Sequence, residues 1–129
     1  MRYDEFLNKV KERGEYADAE EAEIVTRTVL GLLAQRLDPG EADDLAAQLP
    51  TQAAAALTSP DGQAESFGVR EFLNRIAEAT NATEATAQWD ASAVLTTVAE
   101  AVSGGELNDV LTQLPSGYAA LFGKATLSG

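Results

Sequence analysis

Apolar residues fall along this chain at helical spacing, and the same arrangement is written twice. Tyr3, Phe6, Leu7 and Val10 occupy positions i, i+3, i+4 and i+7, and Val69, Phe72, Leu73 and Ile76 repeat the series. That spacing collects side chains on one face of a helix. A second stripe comprises Val29, Leu30, Leu33, Ala34 and Leu37, echoed by Val94, Leu95, Val98, Ala99 and Val102. A third comprises Ala42, Leu45, Ala46 and Leu49, echoed by Leu107, Val110, Leu111 and Leu114. No window alternates as a half-buried strand does, so an all-α chain is expected.

The echo is an alignment at nearly fixed offset. Glu5 to Val10 matches Glu71 to Ile76 at an offset of 66, and Ala22 to Pro50 matches Ala87 to Pro115 at 65 without gaps. Self-similarity at a fixed period marks an internal repeat. The punctuation repeats too. Asp18 stands three before Glu21, a capping box at the start of the second helix, and Thr83 takes the equivalent place. Asp38-Pro39-Gly40-Glu41 reads as N-cap, proline at the first helical position and a glutamate reaching back; Ser103-Gly104-Gly105-Glu106 is its counterpart. Pro50 and Pro115 close the third helix of each copy, and short fourth helices are expected at Gln52–Leu57 and Tyr118–Phe122. These signals divide the chain into a repeat over 1–57, a turn-rich linker over 58–66, a second repeat over 67–122 and a fraying tail over 123–129. A copy of about 55 residues buries too little apolar surface to fold comfortably alone. The expectation is therefore one compact domain of two pseudo-symmetric four-helix repeats.

Composition narrows the chemistry. Of the 45% of residues that are apolar, 24 residues are alanine, so the core must be thin and its helices close. The chain has no Cys and no His. Disulfides and thiolate chemistry are excluded, and the commonest general base and transition-metal ligand are missing. No serine lies in a G-x-S-x-G elbow, and no phosphate loop or G-x-G-x-x-G is present. Nine basic against 21 acidic residues give a net charge of -12. Such a surface repels nucleic-acid phosphates and anionic membranes. No apolar run reaches the roughly 20 residues of a membrane span, and the amino terminus has no signal-peptide core. A cytoplasmic location is expected, with no nucleic acid and no membrane as partner.

The residues EFL near the start of a helix, then GEADDLAAQLP, then a second copy ending AVSGGELNDVLTQLP and YAALF, resemble the bacterial and archaeal family catalogued as domain of unknown function 2267. The resemblance runs from about Tyr3 to Phe122. It implies an all-helical cytoplasmic protein with no assigned reaction, so it transfers no catalytic residue. Members from salt-loving microbes are similarly acidic, which would account for the charge without a cationic partner.

Three constellations remain as candidates. Glu41 and Asp44 lie at i, i+3, repeated as Glu106 and Asp109. Paired carboxylates can hold Mg²⁺ or Ca²⁺, but acids in a first helical turn also serve the helix dipole and the cap. The helix-start explanation is preferred, and a metal site stays the alternative. Asn8 and Asn74, each directly after an apolar pair, could fix register between repeats or lie exposed. Trp89 has no aromatic twin, its equivalent being Ile24. A lone tryptophan at helical spacing belongs most often to a core or packed edge, and it can also anchor a partner. No catalytic residue and no cofactor are expected. The leading expectation is a non-enzymatic interaction module for an unidentified protein partner or a second copy of itself. A small-molecule or divalent-metal binder is the alternative.

Overall fold

Eight α-helices and one 3-10 turn follow in order in a computed structural model that describes residues 1–57 and 65–124. They are α1 (Tyr3–Gly14), α2 (Ala19–Arg36), α3 (Pro39–Ala47) and α4 (Thr51–Ala54), which continues into the turn Ala55–Leu57. Then come α5 (Val69–Thr80), α6 (Glu84–Ala101), α7 (Gly104–Gln113) and α8 (Tyr118–Leu121). No strand occurs among the described residues. Helices α1 and α5 each have 12 residues, and α2 and α6 each have 18. The fourth helix expected at Gln52–Leu57 is present as α4 running into the 3-10 turn, and the one expected at Tyr118–Phe122 ends one residue earlier, at Leu121. Most of the 58–66 linker and the tail beyond Lys124 lie outside the described residues.

The long helices α2 and α6 pack on each other at the centre. Each amino-terminal helix of a half packs on both of them: α1 lies on α2 and α6, and α5 lies on α6 and α2. The first stripe, on α1, and its echo, on α5, thus both meet long helices from both halves, which joins the chain into one core. Phe6, Val10, Val29, Leu30, Leu33, Phe72, Ile76, Val94, Leu95 and Val98 are all fully buried there. Full burial of such a side chain contributes about 1.5–3 kcal/mol. The Phe72 and Tyr118 rings meet at 5.3 Å between centroids, tilted by 51°, an arrangement suited to aromatic quadrupoles. The Tyr118 hydroxyl donates to the Phe67 and Gly68 carbonyls, so the buried phenol is satisfied. Burial pushes its pKa up to about 12, against the opposing influence of Arg36 and Arg75.

The caps are where local reading and structure part. Asp18 accepts from the Glu21 N–H, Thr83 from the Thr86 N–H and Ser103 from the Glu106 N–H, as the sequence indicates. Asp38 stands at the N-cap of α3 without making a side-chain cap bond. Neither Glu41 nor Glu106 reaches back to its cap residue. Glutamines from the other half take those backbone donors: the Asp38 N–H donates to Gln113 Oε1 at 3.3 Å, and the Ser103 N–H donates to Gln48 Oε1 at 2.7 Å. Gln48 and Gln113 are themselves aligned at the offset of 65. Asn8 and Asn74 are both exposed, which removes the register role and leaves solvated amides.

Candidate functional site

Two features stand out, at different places on the fold. The first is built where α3 meets α7. Because the cross-half glutamines satisfy the cap donors, Glu41 and Glu106 are released from helix-start duty and turn toward each other. Carboxylate oxygens of Glu41, Asp44 and Glu106 all lie within 4.8 Å of one another. The structure thus brings together three of the four acids singled out from the sequence. Asp109 remains outside this cluster, close enough for its charge to act on Glu106.

Glu106 is 8% exposed, and its Oε2 has no hydrogen-bond donor. Glu41 Oε2 is likewise buried and without a donor, while its Oε1 accepts a long 3.4 Å bond from Gln113 Nε2. No ion pair among the described residues involves any of the four acids. Burial, then the bond and charge of Glu41, then the charges of Asp44 and Asp109, push the Glu106 carboxyl up to about 7. A carboxylate this dry, facing two others, holds its negative charge at a cost.

The second feature is an open groove of about 790 Å³ at the amino-terminal ends of α2 and α6. Its apolar lining includes Ile24 and Trp89, which are 56% and 50% exposed. Among the described residues they are, with Met1, the large apolar side chains left in solvent. Trp89 is therefore no core residue. Its indole N–H donates to the Gly14 carbonyl at 3.0 Å, which satisfies the end of α1 and fixes the ring while leaving much of it wet. The turn below is held tightly. Glu15 adopts the left-handed conformation, with φ of 54°, that ends α1. A Cβ at Gly14 would stand 2.1–2.7 Å from the Tyr16 ring, so any larger residue there must push that ring aside.

Tyr16 completes the groove floor. Its hydroxyl donates to Asp90 Oδ1 at 2.6 Å. Burial first, then the bond and charge of Asp90, raise the phenol pKa strongly. Asp90 is 5% exposed, and burial raises its pKa, partly offset by the Tyr16 bond. The groove's charged lining is entirely acidic: Glu15, Asp18, Glu20, Glu21 and Asp90. No lysine or arginine lines it.

Sequence reasoning singled out Trp89 but overlooked Tyr16 and the two glutamines. The signal for Gln48 and Gln113 was available in the repeated QLP tripeptide. The signal for Ile24 was its equivalence to Trp89.

The family model described as "Uncharacterized conserved protein (DUF2267)" matches residues 3–121. No curated protein matches the chain. No helix among the described residues is long and apolar enough to cross a membrane.

Proposed function

The chain belongs to the DUF2267 family, and we propose that it acts as a non-enzymatic interaction module, docking a basic, apolar-anchored segment of a protein partner in the groove beside Trp89. The observation that carries this reading is the pairing of two exposed apolar side chains, Ile24 and Trp89, in a groove whose charges are all negative. Tryptophan in a partly enclosed setting is the residue type most often found as an interface anchor. Acids around an apolar centre match a segment carrying lysine or arginine on either side of a leucine or aromatic residue. A second copy of the chain fits less well, since it would bring another -12 of charge to the same surface. The reading takes the two halves as copies of one four-helix unit and a cytoplasmic setting as the place of action.

The test uses the chain's one tryptophan as its own reporter. A lysine–leucine amphipathic peptide and its glutamate–leucine counterpart are titrated separately while Trp89 emission is followed. A saturable blue shift with the basic peptide alone is expected, weakened at least tenfold by Ile24→Asp. An equal response to the acidic peptide, or no effect of Ile24→Asp, overturns the assignment.

A further inference from the structure

We propose that Glu41, Asp44 and Glu106 form a binding site for one hard divalent cation, Mg²⁺ or Ca²⁺, across the contact between α3 and α7. None of these three residues lines the groove beside Trp89.

The geometry suits oxygen coordination. Ligands held about 2.0–2.6 Å from a Mg²⁺ or Ca²⁺ ion lie roughly 3–5 Å from one another. The three carboxylates offer oxygens all within 4.8 Å. With neither His nor Cys in the chain, the donor set is purely oxygen, the preference of hard cations rather than of zinc or copper.

The Glu106 side chain supplies the second observation. It is more than nine-tenths buried, aimed into the cluster, and its Oε2 is without a donor. A helix-start role does not account for it, because Gln48 already occupies the Ser103 N–H that a capping glutamate would take. Gln113 does the same at Asp38. Both glutamates are thus directed away from their own helix starts and toward a shared point.

Charge arithmetic favours a divalent ion. Each helix amino terminus presents about half a positive charge. Two such ends offset about one of the three carboxylate charges, leaving roughly two negative charges to be met. No lysine or arginine meets them among the described residues. Asp44 is exposed, so the site opens to solvent on that side and water can complete the coordination shell.

Direct binding decides the matter. Full-length protein is stripped with chelator and titrated with Mn²⁺, followed by electron paramagnetic resonance; Mg²⁺ and Ca²⁺ are then added as competitors. One saturable site per chain is expected, displaced by Mg²⁺ or Ca²⁺. Glu106→Gln should weaken it at least tenfold, and Asp44→Asn, at an exposed position that spares the fold, should weaken it severalfold. Glu12→Gln, an exposed acid elsewhere, should leave it unchanged. Absence of saturable binding up to about 10 mM, well above the weakest dissociation constants of natural calcium modules, overturns the proposal and leaves a proton-sharing carboxyl pair. Binding equally strong in Glu106→Gln and Asp44→Asn overturns it as well. The peptide titration at Trp89 reads a different surface, so either assignment can fail without the other.

Discussion

Replacing Glu106 by glutamine should stabilise the cation-free protein, and only at neutral or alkaline pH. The side chain is buried against Glu41, with Asp44 facing it from α3 and Asp109 from its own helix. Its carboxyl binds a proton more tightly in the folded state, at about 7, than its ordinary value of 4.5. The folded state therefore holds more protons than the unfolded one between those values, and stability falls as pH rises through that window. The contribution is fully present below about 4.5 and lost above about 7. A shift of this size has a ceiling of about 3 kcal/mol. Asp44 and Asp109 are exposed, and solvent screening at such an edge reduces the effect to about 1 kcal/mol. Glutamine keeps the shape, removes the charge and brings an N–H₂ that can donate to Glu41 Oε2. Thermal melts of both proteins, with chelator and low salt, should agree near pH 4.5. They should separate progressively to pH 8, where the variant melts about 3–6 °C higher. A difference that does not change with pH, or a variant less stable at pH 8, would show that Glu106 is not held against its neighbours as described.

Other substitutions probe the framework. Phe72→Ala removes a fully buried ring that meets Tyr118 and should cost about 3–5 kcal/mol in chemical denaturation; a loss under 1 kcal/mol would contradict its place in the core. Gly14→Ala forces the Tyr16 ring aside, so Asp90 loses its hydroxyl donor; a loss of about 1–3 kcal/mol is expected, with altered Trp89 emission. Gln113→Ala strips both the Asp38 N–H and Glu41 of a partner and should cost about 1–2 kcal/mol; an unchanged denaturation midpoint would show those bonds to be idle. The charge of -12 predicts a melting temperature that climbs with KCl as the screening length shrinks from roughly 10 Å at 0.1 M to 3 Å at 1 M. A flat response would separate the acidity from any adaptation to salt.

The helices were legible because their signals are local. Tyr3, Phe6, Leu7 and Val10 announce one buried face, and each member of the three paired stripes is buried or half-buried in the structure. What the stripes do not encode is which of them meet. The packing of α1 on α6 and of α5 on α2 depends on contacts between residues far apart in the chain. The same limit explains Asp38. Its neighbours Pro39 and Glu41 complete a local capping signature, but Gln113 arrives from the other half and takes the N–H that Glu41 would have bonded. The four acids were visible as helix-start residues, and their convergence was not, since it follows from the α3–α7 contact. Trp89 was found by its rarity. Its exposure was hidden because Gly14, 75 residues earlier, fixes the indole from outside the helix that carries it.

The central claim is that the groove beside Trp89 is the docking face, and backbone amide NMR tests it most directly. Uniformly labelled protein is titrated with the lysine–leucine peptide. Saturable shifts are predicted at the ends of α1 and α5, the first turns of α2 and the first half of α6, with the Trp89 indole N–H among the largest. Shifts centred on α3, α7 or α4, or no saturable shift at all, would contradict it.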